Sequence, residues 1–328
     1  LTPTKQLFYM KKVFLLIFLL VTVALCGFVT YVKIALPNVG PAPEIRLDKT
    51  KEQIERGKYL ANSVCACVDC HSSRDWKKFA GPIIPGTMGM GGEAFTQEFG
   101  FPGKFYARNI TPFGLSSWTD GEIYRAITSG VSKDGHAFFP VMPYLNYGKM
   151  AEEDIKAIIA YLRSLKSIES TIPESVPDFP MNIILNTIPK KANPTPVPSK
   201  TDILKYGEYI TNAASCIECH TKQEKGEKLK GMEFAGGFEF KLPNGKVVSP
   251  NITPHETGIK DWTKTAFVNR FKAYADSSYQ PHEVENGMQT VMPWMMYANM
   301  TEEDLGAIYD YLRTVAPVNN TVTRYSPN

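Results

Sequence analysis

Cys67-Val68-Asp69-Cys70-His71 and Cys216-Ile217-Glu218-Cys219-His220 are the two places where this chain concentrates reactive side chains. In each, two thiols stand three positions apart and an imidazole follows at once. Cysteines at that spacing reach the two vinyl groups of one haem and form thioethers, and the adjacent histidine lies under the iron as an axial ligand. Zinc, a redox dithiol and a disulfide are the competing uses of Cys-x-x-Cys. Zinc held by one such pair needs a second pair to close its tetrahedron. The two pairs together supply four thiols, but a shared site would not require a histidine beside each. A redox dithiol belongs at a helix start next to a βαβ pattern, and the sequence shows none. The expected cofactors are therefore two covalently bound haem c groups, with His71 and His220 on the irons.

A sixth iron ligand must come from elsewhere. Met142 lies 71 residues after His71, and Met292 lies 72 after His220, each directly before a proline. Methionine opposite histidine fills the coordination shell and raises the reduction potential. A methionine in a small helical domain is otherwise core filler. Met88, Met90 and Met150 compete in the first half, and Met288, Met295, Met296 and Met300 in the second. His136, His255 and His282 do not align between the halves, which predicts surface placement. Trp118 and Trp262 repeat, as do Asn109 and Asn251. An indole N–H or an amide suits a haem propionate; packing and turn formation are the other roles for these residues. Arg108 and Arg125 also suit a propionate, but neither is matched by arginine in the second half. Cys65 does not give the two-residue gap, and Cys26 lies in an apolar run.

The elements around these residues repeat as well. "RGKYLANSVCACVDCHS" from Arg56 is echoed by "KYGEYITNAASCIECHT" from Lys205. "RNITP", "SWTD", "VMPY" and "MAEEDIKAIIAYLRSL" are echoed in the same order by "PNITP", "DWTK", "VMPW" and "MTEEDLGAIYDYLRTV". A chain that repeats its motifs in order is read as a duplicated unit. Ile155, Ile158, Ile159, Leu162 and Leu165 fall at helical spacing, as do Leu305, Ile308, Tyr309, Leu312 and Val315. Thr301 with Asp304 three residues on resembles a capping box. Leu242-Pro243-Asn244-Gly245-Lys246 is a hairpin turn, and Phe101-Pro102-Gly103-Lys104 holds the matching place. The expected fold class is all-α, each half carrying a small hairpin insertion. The expected divisions are 1–12, 13–32, 33–49, 50–166, a proline-rich linker or strap over 167–200, and 201–328.

Residues 13–32 carry no charge, and Lys33 ends the run. Twenty residues at about 1.5 Å each cross a hydrocarbon core of roughly 30 Å. Lys11 and Lys12 precede the run, which predicts residues 1–12 in the cytoplasm and the rest outside, on a single-pass inner-membrane anchor. A cleaved signal and a lipid-modified Cys26 are the other readings. Met10 followed by two lysines reads as a start of translation, with residues 1–9 an upstream extension. A net charge of +3 over 328 residues predicts no nucleic-acid partner. The first half carries 14 Lys+Arg against 12 Asp+Glu, and the second 13 against 16, so different redox partners are expected on each.

Each half resembles a class I cytochrome c domain. The set "NITP", "WTD", "MPY" and "EEDIKAIIAYLRSL" resembles the multihaem cytochrome c subunits of membrane-bound alcohol, aldehyde and gluconate dehydrogenases. The resemblance implies two tandem cytochrome c domains after one transmembrane helix. It makes Cys67, Cys70, Cys216 and Cys219 the thioether cysteines, His71 and His220 the proximal ligands, and Met142 and Met292 the distal ones. Those subunits carry three such units and this chain shows two, which leaves the electron donor open among a dehydrogenase, a quinol-oxidising complex and a terminal oxidase. The leading function is an electron carrier between a membrane or periplasmic donor and an oxidase or soluble carrier. The rival is a dihaem enzyme, a peroxidase or thiosulfate-oxidising cytochrome, which needs one open iron position.

Overall fold

The structure is a computed structural model that describes residues 3–275, 278–285 and 287–327. A long helix α1 (Pro3–Ala35) opens the chain, and residues 6–35 form its apolar stretch, long enough to cross a bilayer. An extended run leads to α2 (Lys51–Tyr59), which passes through one π-helical turn, Leu60–Val64, into the one-turn α3 (Cys67–Cys70). The first half continues with β1 (Ala94–Phe95), β2 (Gly103–Tyr106), α4 (Pro112–Leu115), α5 (Asp120–Ser129), α6 (Tyr144–Tyr147) and α7 (Glu152–Ser164). β3 (Val176–Pro177) and α8 (Met181–Ile184) follow. The second half runs α9 (Ile203–Ala213), α10 (Cys216–Cys219), β4 (Gln223–Glu224), β5 (Glu227–Lys228), β6 (Glu239–Leu242), β7 (Gly245–Val248), α11 (Lys264–Lys272), α12 (Trp294–Tyr297), α13 (Glu302–Leu312) and β8 (Tyr325–Ser326).

The helix starts follow from their caps. Thr50, Thr263 and Thr301 each accept a bond from the backbone N–H three residues on. Thr119 and Glu122 complete a reciprocal capping box, and Gly130 closes α5 in the left-handed conformation, φ 71°. Three carboxylates open α7 and three open α13, where the helix dipole favours negative charge. The apolar stripes named above face inward: Ile155, Ile158, Ile159 and Leu162, and Leu305, Ile308 and Leu312, are all buried in one core. Leu165 and Val315 extend the stripes past the helices, which end at Ser164 and Leu312.

The all-α expectation is corrected by the sheets. The hairpin turn holds: Leu242 pairs with Gly245 around Pro243-Asn244, in β6 and β7. In the first half β1 and β2 pair across a longer connection that contains a 3-10 turn. Each hairpin then recruits a third strand from the tail behind its half's last helix, β3 onto β2 and β8 onto β7. Those strand-forming tails carry proline and no helical stripe, so pairing with an existing edge satisfies their backbone. By its bonds, the stretch from Ile168 to Pro177 is fastened to the first half.

In both halves the first helix crosses the last at a glycine. A Cβ on Gly57 would lie 1.8 Å from the Ala157 carbonyl oxygen, and one on Gly207 2.1 Å from that of Ala307. Backbone cannot move aside as a side-chain end can. Gly57→Ala is therefore expected to destabilise by about 2 kcal/mol, overpacking of up to ~3 outweighing a helix-propensity gain of ~1. A lower denaturation midpoint at unchanged slope checks it; an unchanged midpoint would mean the crossing is looser than drawn.

The halves join through a crossed pair of bonds. Asp154 opens α7 and accepts from Arg56 Nε and Nη2, both at 2.8 Å, and from Tyr209 Oη of the second half at 2.7 Å. Asp304 opens α13 and accepts from Tyr206 Oη at 2.8 Å and from Tyr59 Oη of the first half at 2.5 Å. The tyrosines also accept from backbone, Tyr209 from Ala151 N–H and Tyr59 from Thr301 N–H. Elsewhere Gln289 bonds Trp76, Lys78 and Ala80 through backbone, and His282 stacks on Phe79 with centroids 5.0 Å apart.

Candidate functional site

Each Cys-x-x-Cys-His stands on a single helical turn entered through a left-handed residue. Ala66 has φ 49° and Ser215 φ 54°. The chain thus breaks its helix just before the motif and starts again. His71 N–H bonds the Cys67 carbonyl at 3.0 Å, and His220 N–H the Cys216 carbonyl at 2.9 Å. That closes the turn and carries both thiols and the imidazole on one short unit. The two histidines share one backbone conformation, φ −91° ψ 28° and φ −92° ψ 24°.

The imidazoles are then fixed from the far side. His71 Nδ1 lies 2.6 Å from the Arg108 carbonyl oxygen, and His220 Nδ1 lies 2.8 Å from that of Pro250. A carbonyl only accepts, so Nδ1 carries the proton and donates. Nε2 is left with its lone pair, the form in which histidine binds a metal. Desolvation lowers the pKa of both rings, which keeps them neutral. Both carbonyls directly precede the asparagine of an "Asn-Ile-Thr-Pro" turn.

That turn is what Asn109 and Asn251 build. Asn109 Nδ2 donates to Ile168 O and Ser170 Oγ, each at 2.8 Å, while Oδ1 accepts from Thr111 N–H and Oγ1. Asn251 Nδ2 donates to Thr257 Oγ1 and Val318 O, while Oδ1 accepts from Thr253 N–H and Oγ1. An amide has two donors and one carbonyl oxygen. These asparagines thus use both donors within the protein. They hold the loop whose carbonyl orients the histidine. Arg108 Nη1 bonds the Pro173 carbonyl at 2.8 Å.

Trp118 is half-buried against the core, and Trp262 is 39% exposed. Their backbone does visible work: the Trp118 carbonyl accepts from Arg163 and the Trp262 carbonyl from Tyr309. The threonines that follow them, Thr119 and Thr263, are the caps of α5 and α11. A Thr-x-x-Glu pattern marks the first of these in the sequence.

Met142 and Met292 occupy matching turns. The Tyr144 and Trp294 N–H groups bond the Met142 and Met292 carbonyls, both at 2.8 Å, and Pro143 and Pro293 start α6 and α12 with nearly equal dihedrals. Both methionines are half-buried. Of their competitors, Met90, Met288, Met295 and Met296 are half-buried as well. Met150 and Met300 are sealed in the core, and Met88 is an exposed residue whose sulfur meets Tyr161 Oη. His136 is exposed, His282 stacks on Phe79, and His255 Nδ1 lies 3.0 Å from Thr257 Oγ1.

The thiols are free; Cys70 and Cys216 are half-buried, and burial pushes both up to about 12, while Cys219 is exposed. No group of three or more His, Cys, Asp or Glu able to hold a metal ion occurs among the described residues. The donor set fits a covalently attached haem instead: two thiols on one turn beside an imidazole with Nε2 unprotonated. Three buried polar atoms without a partner, Arg125 Nε, Tyr144 Oη and Asn146 Nδ2, add unmet capacity on α5 and α6 of the first half. Cys65, which sits before the break, is buried with Sγ 3.9 Å from Met150 Sδ.

Known proteins similar to this chain carry cytochrome c names. The cytochrome c family model matches residues 204–316. The cytochrome c subunit of a quinone-dependent alcohol dehydrogenase from Gluconacetobacter polyoxogenes is 26% identical over 299 residues, 85% of this chain and 59% of the relative. The fructose dehydrogenase cytochrome subunit of Gluconobacter japonicus is 26% identical over 81% of this chain and 53% of its own length. A diheme cytochrome c-type protein of Cereibacter sphaeroides is 27% identical over 77% of this chain and 82% of its own length. The chain thus spans little more than half the length of the dehydrogenase subunits it resembles.

Proposed function

We propose, from the cytochrome c domain at residues 204–316 and its counterpart upstream, that this chain is a membrane-anchored dihaem electron carrier. Cys67 and Cys70 hold one haem, with His71 and Met142 as its axial ligands. Cys216 and Cys219 hold the other, with His220 and Met292. When bound, each haem supplies a one-electron Fe(III)/Fe(II) couple. The observation that carries the reading is the repeated histidine clamp, Nδ1 to Arg108 O and Nδ1 to Pro250 O. It presents Nε2 at the same place in both halves. The indole N–H groups of Trp118 and Trp262 are retained as propionate donors.

Helix α1 is the anchor, with residues 1–12 on the cytoplasmic side and the haem-bearing body on the periplasmic side. Lys11 and Lys12 before the apolar run support that orientation. The electron donor is a dehydrogenase or quinol-oxidising complex of the membrane, by analogy with the names its relatives carry. The acceptor is an oxidase or soluble carrier. The chain transfers electrons and does not itself turn over a substrate. Two methionine-capped irons leave no coordination position for one.

Redox titration of the purified protein, with carbon monoxide added to the reduced form, tests this. Two reversible one-electron centres and no carbon monoxide binding are expected. One centre that binds carbon monoxide would replace the carrier by a dihaem enzyme with an open iron.

A further inference from the structure

The tail between the two halves meets α1 where its apolar run ends. Among the residues of α1 whose burial is described, only Val29 and Val32 are drawn in from solvent, Val32 to 1% exposure, while their neighbours on every other face stay open. They lie three residues apart and so share one face. What covers them is α8 and the 3-10 turn behind it, Leu185–Thr187, with Leu185 buried and Asn186 Nδ2 bonding the Val32 carbonyl at 3.3 Å. Lys33, the first charge after the run, is one residue further on.

The same short segment exposes apolar side chains on its outer side. Phe179 is 78% exposed and Ile184 44%, in a stretch that reads Phe-Pro-Met-Asn-Ile-Ile-Leu-Asn-Thr-Ile-Pro. Lys190 and Lys191 follow at once, both exposed. Phe179 and Ile184, with Val176 just before them at 60% exposure, group apolar side chains on one short stretch, and grouped exposed apolar residues mark membrane or partner contacts. An apolar face followed by paired lysines suits the boundary between acyl chains and anionic headgroups. Height on α1 decides the occupant. A segment packed against Val29 and Val32 stands level with the last turn of the run that spans the hydrocarbon, within about 5 Å at 1.5 Å per residue.

We propose that residues 179–188 lie in the headgroup–acyl boundary of the bilayer crossed by α1, as a second membrane contact that sets how the body sits on the surface. The inference rests on α1 being a membrane span. Because the contact with α1 is made by the tail of the first half, it holds that half close to the membrane and fixes its tilt.

Spin labels on the full chain in nanodiscs of phosphatidylethanolamine and phosphatidylglycerol test it. Collision with oxygen, which concentrates in lipid, is compared with collision with a water-soluble nickel chelate. A label on the native Cys26 reports on α1. Labels on Phe179→Cys and Ile184→Cys, each in a Cys26→Ser background, report on the segment. A label on Lys225→Cys, at an exposed turn of the second half, supplies the aqueous reference. The expected result is an oxygen-to-nickel ratio several-fold higher at 179 and 184 than at 225, approaching that at 26. Lipid-like values at 26 with water-like values at 179 and 184 would overturn the proposal and leave the anchor standing. Water-like values at 26 would overturn both.

Discussion

Reduced Met142→Ala protein is expected to bind one carbon monoxide per chain, where the parent binds none. The turn that carries Met142 is copied at Met292, through the same carbonyl bond at 2.8 Å and the same proline start to the next helix. Removing the thioether empties one coordination position, and a soft exogenous ligand then enters. The potential of that iron should fall as well, because Met/His ligation raises it. Met292→Ala should do the same in the second half, and the double variant should bind two. Met150→Ala is the informative control. Met150 is fully buried, so its loss leaves a cavity costing roughly 2–5 kcal/mol while both irons stay closed. Carbon monoxide uptake by Met150→Ala and none by Met142→Ala would reassign the ligand.

Asp154→Ala is expected to lower stability by roughly 3 kcal/mol, the low end for breaking a buried ion pair, since Arg56 keeps about a third of its side chain in water. The substitution leaves the Arg56 guanidinium and the Tyr209 phenol without their shared acceptor. Tyr209 belongs to the other half, so unfolding of the two halves should also lose cooperativity. Asp304→Ala removes the acceptor of two phenols, Tyr59 and Tyr206, with no buried cation at hydrogen-bond distance. Its cost should be smaller, about 1–2 kcal/mol. Denaturant titrations of the three proteins check the order. Equal midpoints for all three would mean the crossed bonds contribute nothing net.

The elements that position the site were legible in residue types. Apolar spacing marked α7 and α13, Thr301 marked a cap, and Leu-Pro-Asn-Gly-Lys marked the β6–β7 turn, because each signal is local. The strands β3 and β8 were not legible. They are two residues long and exist only because a hairpin edge stands ready for them, a tertiary cause that leaves no periodicity. The roles of Asn109 and Asn251 stayed open for a related reason. Repetition marks a residue as needed in both halves without saying for what, and the Asn-x-Thr spacing, which lets Oδ1 accept from the threonine two residues on, was the available clue. Arg56, Tyr59, Tyr206 and Tyr209 went unremarked because their partner carboxylates lie about 100 or more residues away, or in the other half. Tyr59 beside Gly57, and Tyr206 and Tyr209 beside Gly207, are in sequence terms indistinguishable from core.

The count of haems on the chain bears most directly on the whole account. Intact mass under denaturing conditions, read with the haem absorbance per polypeptide, should give two covalently attached haems on the protein matured in an exporting cell. One haem would confine the chemistry to a single half and make the repeated histidine clamp structural in the other. None, with all thiols free after such maturation, would contradict the account outright.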